Sequence, residues 1–87
     1  MAQTYRQLVD QWFARNPDHS MSFSFTEEGP EHARRYRCTY LLDGTIARTG
    51  EWKTNKRHAK ESAAAQTVPA LRVWGNMYVP LFTIIIS

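Results

Sequence analysis

The sequence has one cysteine, no long apolar segment and no cluster of metal-binding side chains. Cys38 excludes a disulfide within the chain and a cysteine-based zinc site, and it favours an intracellular location in the cytoplasm or nucleus. The apolar run at 81–86 is far shorter than the roughly 20 residues needed to span a bilayer, so we expect no membrane association. Residues 1–6 contain no apolar h-region, and we expect no secretory signal.

Residues that could support catalysis are also missing. The carboxylates do not cluster at metal-binding spacing, and His19, His32 and His58 do not fall at zinc-site spacing with Cys38. We therefore expect a non-catalytic chain with no cofactor, no metal and no small-molecule substrate.

The composition is that of one small globular domain with a basic bias. Hydrophobic residues make up 43% of the 87 residues and aromatic residues 13%, which suits a compact core. The net charge is +3 and the pI is near 9.4. This charge is a mild indication of an anionic partner.

An amphipathic pattern predicts a helix over about 4–15. Its apolar stripe falls at i, i+3, i+4, i+7 and i+8, at Tyr5, Leu8, Val9, Trp12 and Phe13. Thr4 and Gln7 have the spacing of a capping box, and Asn16-Pro17 ends the helix.

A change to a period of two then predicts three strands. Apolar residues alternate with polar ones from Met21 to Phe25 and again from Tyr36 to Tyr40. The segment between them, 27–34, contains Gly29-Pro30 and is expected to lack regular structure. Asp43-Gly44 is typical of a two-residue hairpin turn, after which 45–49 forms the third strand.

A second helix is expected to begin with Thr54 or Asn55 as its N-cap. Small residues such as Ala59, Ala63 and Ala64 give it a face that can pack closely. Pro69 lacks an N–H and should end or kink the helix near Val68. The elements together predict an α+β fold, α-β-β-β-α, with a three-stranded antiparallel sheet and both helices on one face.

The basic segment 53–60 is the most informative part of the sequence. Four cations lie in or just before the first turn of the second helix: Lys53, Lys56, Arg57 and Lys60. Helix N-termini favour acidic residues, so this placement is locally unfavourable unless it serves to bind phosphate. The alternative is a solvated basic face, partly offset by Glu51 and by an Arg57–Glu61 pair.

Two weaker candidates lie elsewhere. Pro30, Glu31 and His32 follow a rigid Gly-Pro turn that could present polar groups to ribose hydroxyls, or could be an ordinary loop. Thr4, Gln7 and Gln11 share a polar helix face that could contact minor-groove edges and 2′-hydroxyls, or could simply be solvated.

The order of these motifs resembles the double-stranded-RNA-binding domain family over about residues 4–72. The family pattern G-P-x-H matches Gly29 to His32, and K-K-x-A-K-x-x-A-A matches Lys56 to Ala64. The resemblance implies a module that binds duplex RNA across about 16 base pairs, largely without sequence preference.

The resemblance also implies three contact regions. Gln7, with Thr4 and Gln11, would enter one minor groove, and Pro30 and His32 the next. Lys56, Arg57 and Lys60 would bind phosphates across the intervening major groove. The loop at 50–55 departs from the family's G-x-G-x-S pattern, because it is one residue longer and carries Trp52 in place of a second glycine.

The remaining residues, 73–87, form an apolar C-terminal extension of unknown role after the predicted domain at 1–72. Residues 79–86 are β-prone, which motivates a second hypothesis: the chain pairs with another protein or with a second copy of itself.

Overall fold

The computed structural model describes residues 3–74, which form two helices and one antiparallel sheet. The elements in chain order are α1 (Tyr5–Arg15), β1 (Met21–Glu28), a short 3-10 turn (Glu31–Ala33), β2 (Arg35–Leu42), β3 (Ile46–Thr49) and α2 (Lys56–Trp74). The predicted α-β-β-β-α order is confirmed, with α2 packed on the sheet and α1 packed on α2. Within the described residues no helix is both long and apolar enough to cross a membrane.

The sheet has the order β1-β2-β3, with β2 in the centre. Its register pairs Phe23 with Tyr40 and Phe25 with Cys38. The apolar residues predicted from the alternation of the two strands therefore lie on the same face of the sheet. Asp43 and Gly44 adopt positive φ values of 53° and 72°, as a tight hairpin turn requires. The third strand begins at Ile46, which pairs with Leu42, and not at the predicted residue 45.

β1 extends further than the sequence predicted. Glu27 pairs with Tyr36 and Glu28 with Arg35, and the 3-10 turn Glu31–Ala33 follows Gly29-Pro30. The expectation that 27–34 lacks regular structure was therefore wrong at 27–28 and at 31–33. Cross-strand ion pairs help to explain the extension, since Arg35 contacts Glu28.

The core lies between α2, α1 and the helix-facing side of the sheet. Its buried members are Leu8, Val9, Trp12, Cys38, Tyr40, Leu42, Ala59, Ala63, Ala64, Val68, Ala70 and Leu71. Gly50 allows the close approach of the sheet to α2, because a Cβ there would lie 2.4 Å from the backbone N of Ala63. Desolvation raises the pKa of the buried Cys38 thiol, and the charge of Lys60 opposes this only in part.

α2 continues through Pro69 to Trp74, so the expectation that the helix could end near Val68 was wrong. Pro69 is exposed, while Ala70 and Leu71, the two residues that follow it, are buried. Beyond them, the Trp74 ring stacks on His19 with centroids 4.7 Å apart. This packing offsets the hydrogen bond that the proline removes.

Candidate nucleic-acid interface

The start of α1 carries the first group of predicted contact residues. Thr4 Oγ1 accepts from the backbone N–H of Gln7 at 3.1 Å, and Gln7 Oε1 accepts from the backbone N–H of Thr4 at 2.9 Å. The predicted capping box is therefore present. Gln7 is exposed, and Gln11 lies one turn further along, half-buried. The capping box holds the Gln7 amide at the surface, with its Nε2 directed away from the bonded Thr4.

Glu61 of α2 fastens this end of α1 to the rest of the fold. Its carboxylate accepts from the backbone N–H groups of Tyr5, at 2.7 Å, and Arg6, at 3.1 Å. Arg6 Nε also lies 3.2 Å from the same carboxylate. The first turn of α1 contains no acidic residue, and Glu61 supplies the negative charge that its N-terminus favours. The sequence analysis missed this contact and instead paired Glu61 with Arg57, which was wrong.

The 3-10 turn between β1 and β2 carries the second group. Gly29 enters it with a φ of 91°, and a Cβ there would lie 2.8 Å from the carbonyl oxygen of Ala33. The Pro30 carbonyl accepts from the backbone N–H of Ala33 at 2.9 Å, which leaves the second lone pair of that oxygen. Glu31 and His32 are exposed on the turn.

A cleft joins this turn to the residues that precede α2. Its lining comprises Glu31, His32, Ala33, Arg34, Arg35, Tyr36 and Thr54. Thr54 lies two positions before the first helical residue of α2. The cleft thus connects the predicted contact residues of the turn with the basic start of α2.

The first turn of α2 carries the third group. The Asn55 side chain accepts from the backbone N–H of His58 at 2.8 Å, which confirms one of the two predicted N-caps. Lys56 and Arg57 are exposed and Lys60 is half-buried. Among residues 3–74 none of these three has a carboxylate within ion-pair distance. Lys53 differs, because its Nζ lies 3.3 Å from Glu51.

Aromatic rings from the sheet support two of these lysines. Lys60 Nζ lies 3.8 Å from the ring centroid of Phe23, and Lys56 Nζ lies 5.5 Å from that of Phe25. Cation–π contacts of this kind favour a charged amine without neutralising it. They offset the repulsion expected of a like-charged pair four residues apart on a helix. The sequence signal was the aromatic alternation of β1, which was assigned to the core alone.

Trp52 lies on the opposite side of the sheet from the helices. The backbones of Tyr36 and Lys53 form an isolated bridge, with N···O distances of 2.7 and 2.8 Å. This bridge extends the β3 side of the sheet and sets Trp52 beside Arg37, whose guanidinium lies 5.0 Å from the indole centroid. Arg35 approaches the same ring at 5.8 Å. The longer loop thus builds a small aromatic and basic cluster.

The family model described as "Double-stranded RNA binding motif" matches residues 5–71, which is most of the chain and all of its regular elements except the end of α2. This chain belongs to the double-stranded RNA binding motif family. At the level of the family, the partner is double-stranded RNA and the module is non-catalytic. Among curated proteins, no sequence matches the chain.

Solved structures of double-stranded RNA binding domains share the fold. A structure of Arabidopsis HYL1, described with implications for miRNA processing, has a TM-score of 0.69 at 21% identity and covers 80% of this chain and 99% of its own. The first domain of HYL1 gives 0.63 at 24% identity, covering 75% and 93%. The second domain of DRB4 gives 0.58 at 23% identity, covering 85% and 100%.

In this double-stranded RNA binding motif the start of α2 and the residues just before it connect the three predicted contact regions. Glu61 holds the start of α1, where Thr4 and Gln7 lie. Thr54 borders the cleft that contains Glu31 and His32. Gln11 lies one turn further along α1 than Gln7. Lys53 lines a cavity with Tyr5, His58 and Glu61, but its ammonium is paired with Glu51.

Proposed function

We propose that this chain binds duplex RNA through its backbone and shape, with three contact regions arranged around the start of α2. The start of α1, with Gln7, enters one minor groove, and the turn with Pro30 and His32 enters the next. Lys56, Arg57 and Lys60 bind phosphates across the major groove between them. Domains of this family span about 16 base pairs of an A-form helix in this way.

The observation that carries the proposal is the uncompensated charge at the start of α2. Arg57 has no carboxylate partner within the described residues because Glu61, its neighbour one turn away, binds the start of α1. The ammonium groups of Lys56 and Lys60 contact aromatic faces, which attract a cation without neutralising it. A helix N-terminus with free cations and orphan N–H groups is suited to phosphate.

Exposed polar groups at the other two regions support a preference for RNA. Gln7 carries an amide and His32 an imidazole, and both side chains are exposed. Such groups can donate to 2′-hydroxyls and base edges of a wide minor groove without favouring one sequence. We therefore expect a DNA duplex of the same sequence to bind more weakly.

A charge substitution tests the phosphate contacts. The double variant Lys56→Gln, Lys60→Gln keeps a polar side chain with part of the aliphatic stem at each position but removes both charges. We expect duplex RNA binding to weaken by about tenfold or more, and the slope of log K against log salt to fall by about 1 per lysine. Fluorescence anisotropy over a salt series measures both, and thermal unfolding checks that the fold is intact.

Arg72→Gln is the matched control. It removes one positive charge from the exposed last turn of α2, sixteen residues beyond Lys56 and about 24 Å along the helix. Its affinity and salt slope should equal those of the unmodified chain. Equal losses in the control and the double variant would contradict a localised phosphate site, as would equal binding of RNA and DNA duplexes.

Association with a second protein chain is the other candidate. Residues 79–86, which motivated it, lie outside the described residues. The structure supplies an edge to which a strand could be added, because β1 is the outermost described strand on its side and Phe23 is 45% exposed. Sedimentation of the full and truncated chains tests whether a second chain associates.

A further inference from the structure

The cluster of Trp52, Arg35 and Arg37 is a surface that the three contact regions do not use. Arg35 and Arg37 alternate along β2 with Tyr36 and Cys38, which face the helices. Both guanidinium groups therefore lie on the open face of the sheet, and both contact the Trp52 ring there, at 5.8 and 5.0 Å.

The charge of this cluster is only partly compensated. Arg35 contacts Glu28 across the strands, whereas Arg37 has no carboxylate partner among residues 3–74. Where β1 and β2 pair, the other side chains of the open face are short and uncharged, as at Ser24 beside Thr39. A partly exposed indole in contact with a guanidinium that has no carboxylate partner among residues 3–74 has the composition of a stacking platform for a nucleobase.

The cluster is continuous with the proposed duplex interface. Arg35 belongs to it and also lines the cleft that contains Glu31, His32 and Thr54. Lys53, next to Trp52 in the chain, is on the helix-facing side because it bridges to Tyr36. A strand that leaves the duplex near His32 can follow the cleft past Arg35 and reach Trp52.

We propose that Trp52, with Arg35 and Arg37, binds an unpaired nucleotide of a single-stranded RNA segment that extends from the bound duplex. This inference rests on the proposed duplex function and adds a site for the duplex end. The indole stacks on the base while Arg37 contacts the adjoining phosphate. The site explains why the loop carries a tryptophan and an additional residue where the family pattern has a second glycine.

An overhang titration tests the site. The probes are a blunt RNA duplex of about 16 base pairs and the same duplex with a short single-stranded uridine extension. We expect the extension to tighten binding by about fivefold or more, since one stacked base contributes at least this factor. Trp52→Ala should abolish the gain and leave blunt-duplex affinity unchanged, and Trp52→Phe should restore part of it.

Leu41→Ala is the matched control, because Leu41 is an exposed apolar side chain on the same open face at the far end of β2. It should retain the full gain. Equal affinity of the unmodified chain for both probes would overturn the inference while leaving duplex binding intact. Loss of blunt-duplex binding in Trp52→Ala with an unchanged melting transition would also overturn it, because Trp52 would then belong to the duplex interface.

One further measurement distinguishes an RNA ligand of this cluster from an acidic protein partner. Quenching of tryptophan emission by single-stranded oligouridine, absent in Trp52→Phe relative to the unmodified chain, supports the assignment. A response to a polyglutamate peptide with none to oligouridine would overturn it in favour of an acidic protein segment. If neither RNA probe binds at all, the proposed duplex function itself fails, which is a distinct result.

Discussion

The Glu61 carboxylate accepts a hydrogen bond of 2.7 Å from the backbone N–H of Tyr5, and this contact joins the beginnings of the two helices. The two residues are 56 positions apart in the chain. Glu61 also follows directly after Lys60, so one side of the same helical turn anchors α1 while the other presents a cation. The geometry of the proposed interface therefore depends on a residue that need not touch RNA.

Replacing Glu61 should weaken the fold. Glu61→Ala leaves two N–H groups of the first turn of α1 without their acceptor and removes the ion pair with Arg6. The site is partly exposed to solvent, so we expect a loss of about 1 kcal/mol in the free energy of unfolding. Urea unfolding measures it. Glu51→Ala, at a carboxylate that is 77% exposed, is the control and should change little; equal effects would contradict the anchoring role.

Gly50 should be less replaceable than the turn residue Gly44. Gly50→Ala places a Cβ 2.4 Å from the backbone N of Ala63, and backbone atoms can yield only if α2 shifts. We expect a loss of roughly 2–3 kcal/mol. Gly44→Ala provides the comparison, since its Cβ meets nothing within 4 Å and its cost comes from the φ of 72° alone, about 1 kcal/mol. Thermal unfolding of both variants should rank them in this order; the reverse order would contradict the close contact.

Asp43 should account for part of the decrease in the free energy of unfolding at acid pH. The Ser20 backbone N–H, at 2.7 Å, and then His19 hold the pKa of this carboxyl below its ordinary value. Because the folded pKa is depressed, the unfolded chain binds more protons at low pH. The stabilisation is thus present above the unfolded pKa of about 3.9 and is lost as pH falls through the folded value.

Asp43→Asn removes this titration but retains a residue that tolerates the positive φ of 53°. Between about pH 6 and pH 2 the free energy of unfolding should fall less steeply in the variant than in the unmodified chain. Chemical unfolding across that range gives both slopes. Parallel slopes would show that Asp43 has the same proton affinity in both states.

The association hypothesis predicts a concentration-dependent mass. If residues 79–86 pair with a second copy, the full chain should sediment as a dimer at high concentration, and a chain truncated after residue 78 should stay monomeric. Analytical ultracentrifugation compares them. Identical monomeric behaviour would remove the reason for the hypothesis.

The fold could be predicted because its signals are local. Two patterns show which side of an element is apolar: the period-two alternation around Phe23 and Tyr40, and the helical stripe of α1. The apolar side is the side that is buried. The continuation of α2 through Pro69 could not be predicted. The effect of proline on a helix is local, whereas the packing of Leu71 and the stacking of Trp74 on His19 are tertiary contacts.

The candidate site was predictable only in its charges. The cations of α2 and the Gly-Pro turn are visible as residue types, and Asn55 as a cap follows from spacing. No sequence pattern indicates that Glu61 binds the start of α1. The position of Trp52 depends on the backbone bridge between Tyr36 and Lys53, which joins residues distant in the chain.

The burial of Cys38 has a practical consequence for studying the protein. Reaction with a thiol reagent requires the thiolate, and a fully enclosed side chain with a raised pKa offers neither access nor the reactive form. A cysteine introduced at an exposed position such as Arg72 would then be the only sulfur able to accept a dye or spin probe. Single-site conjugation can therefore report on RNA docking without first removing the native cysteine.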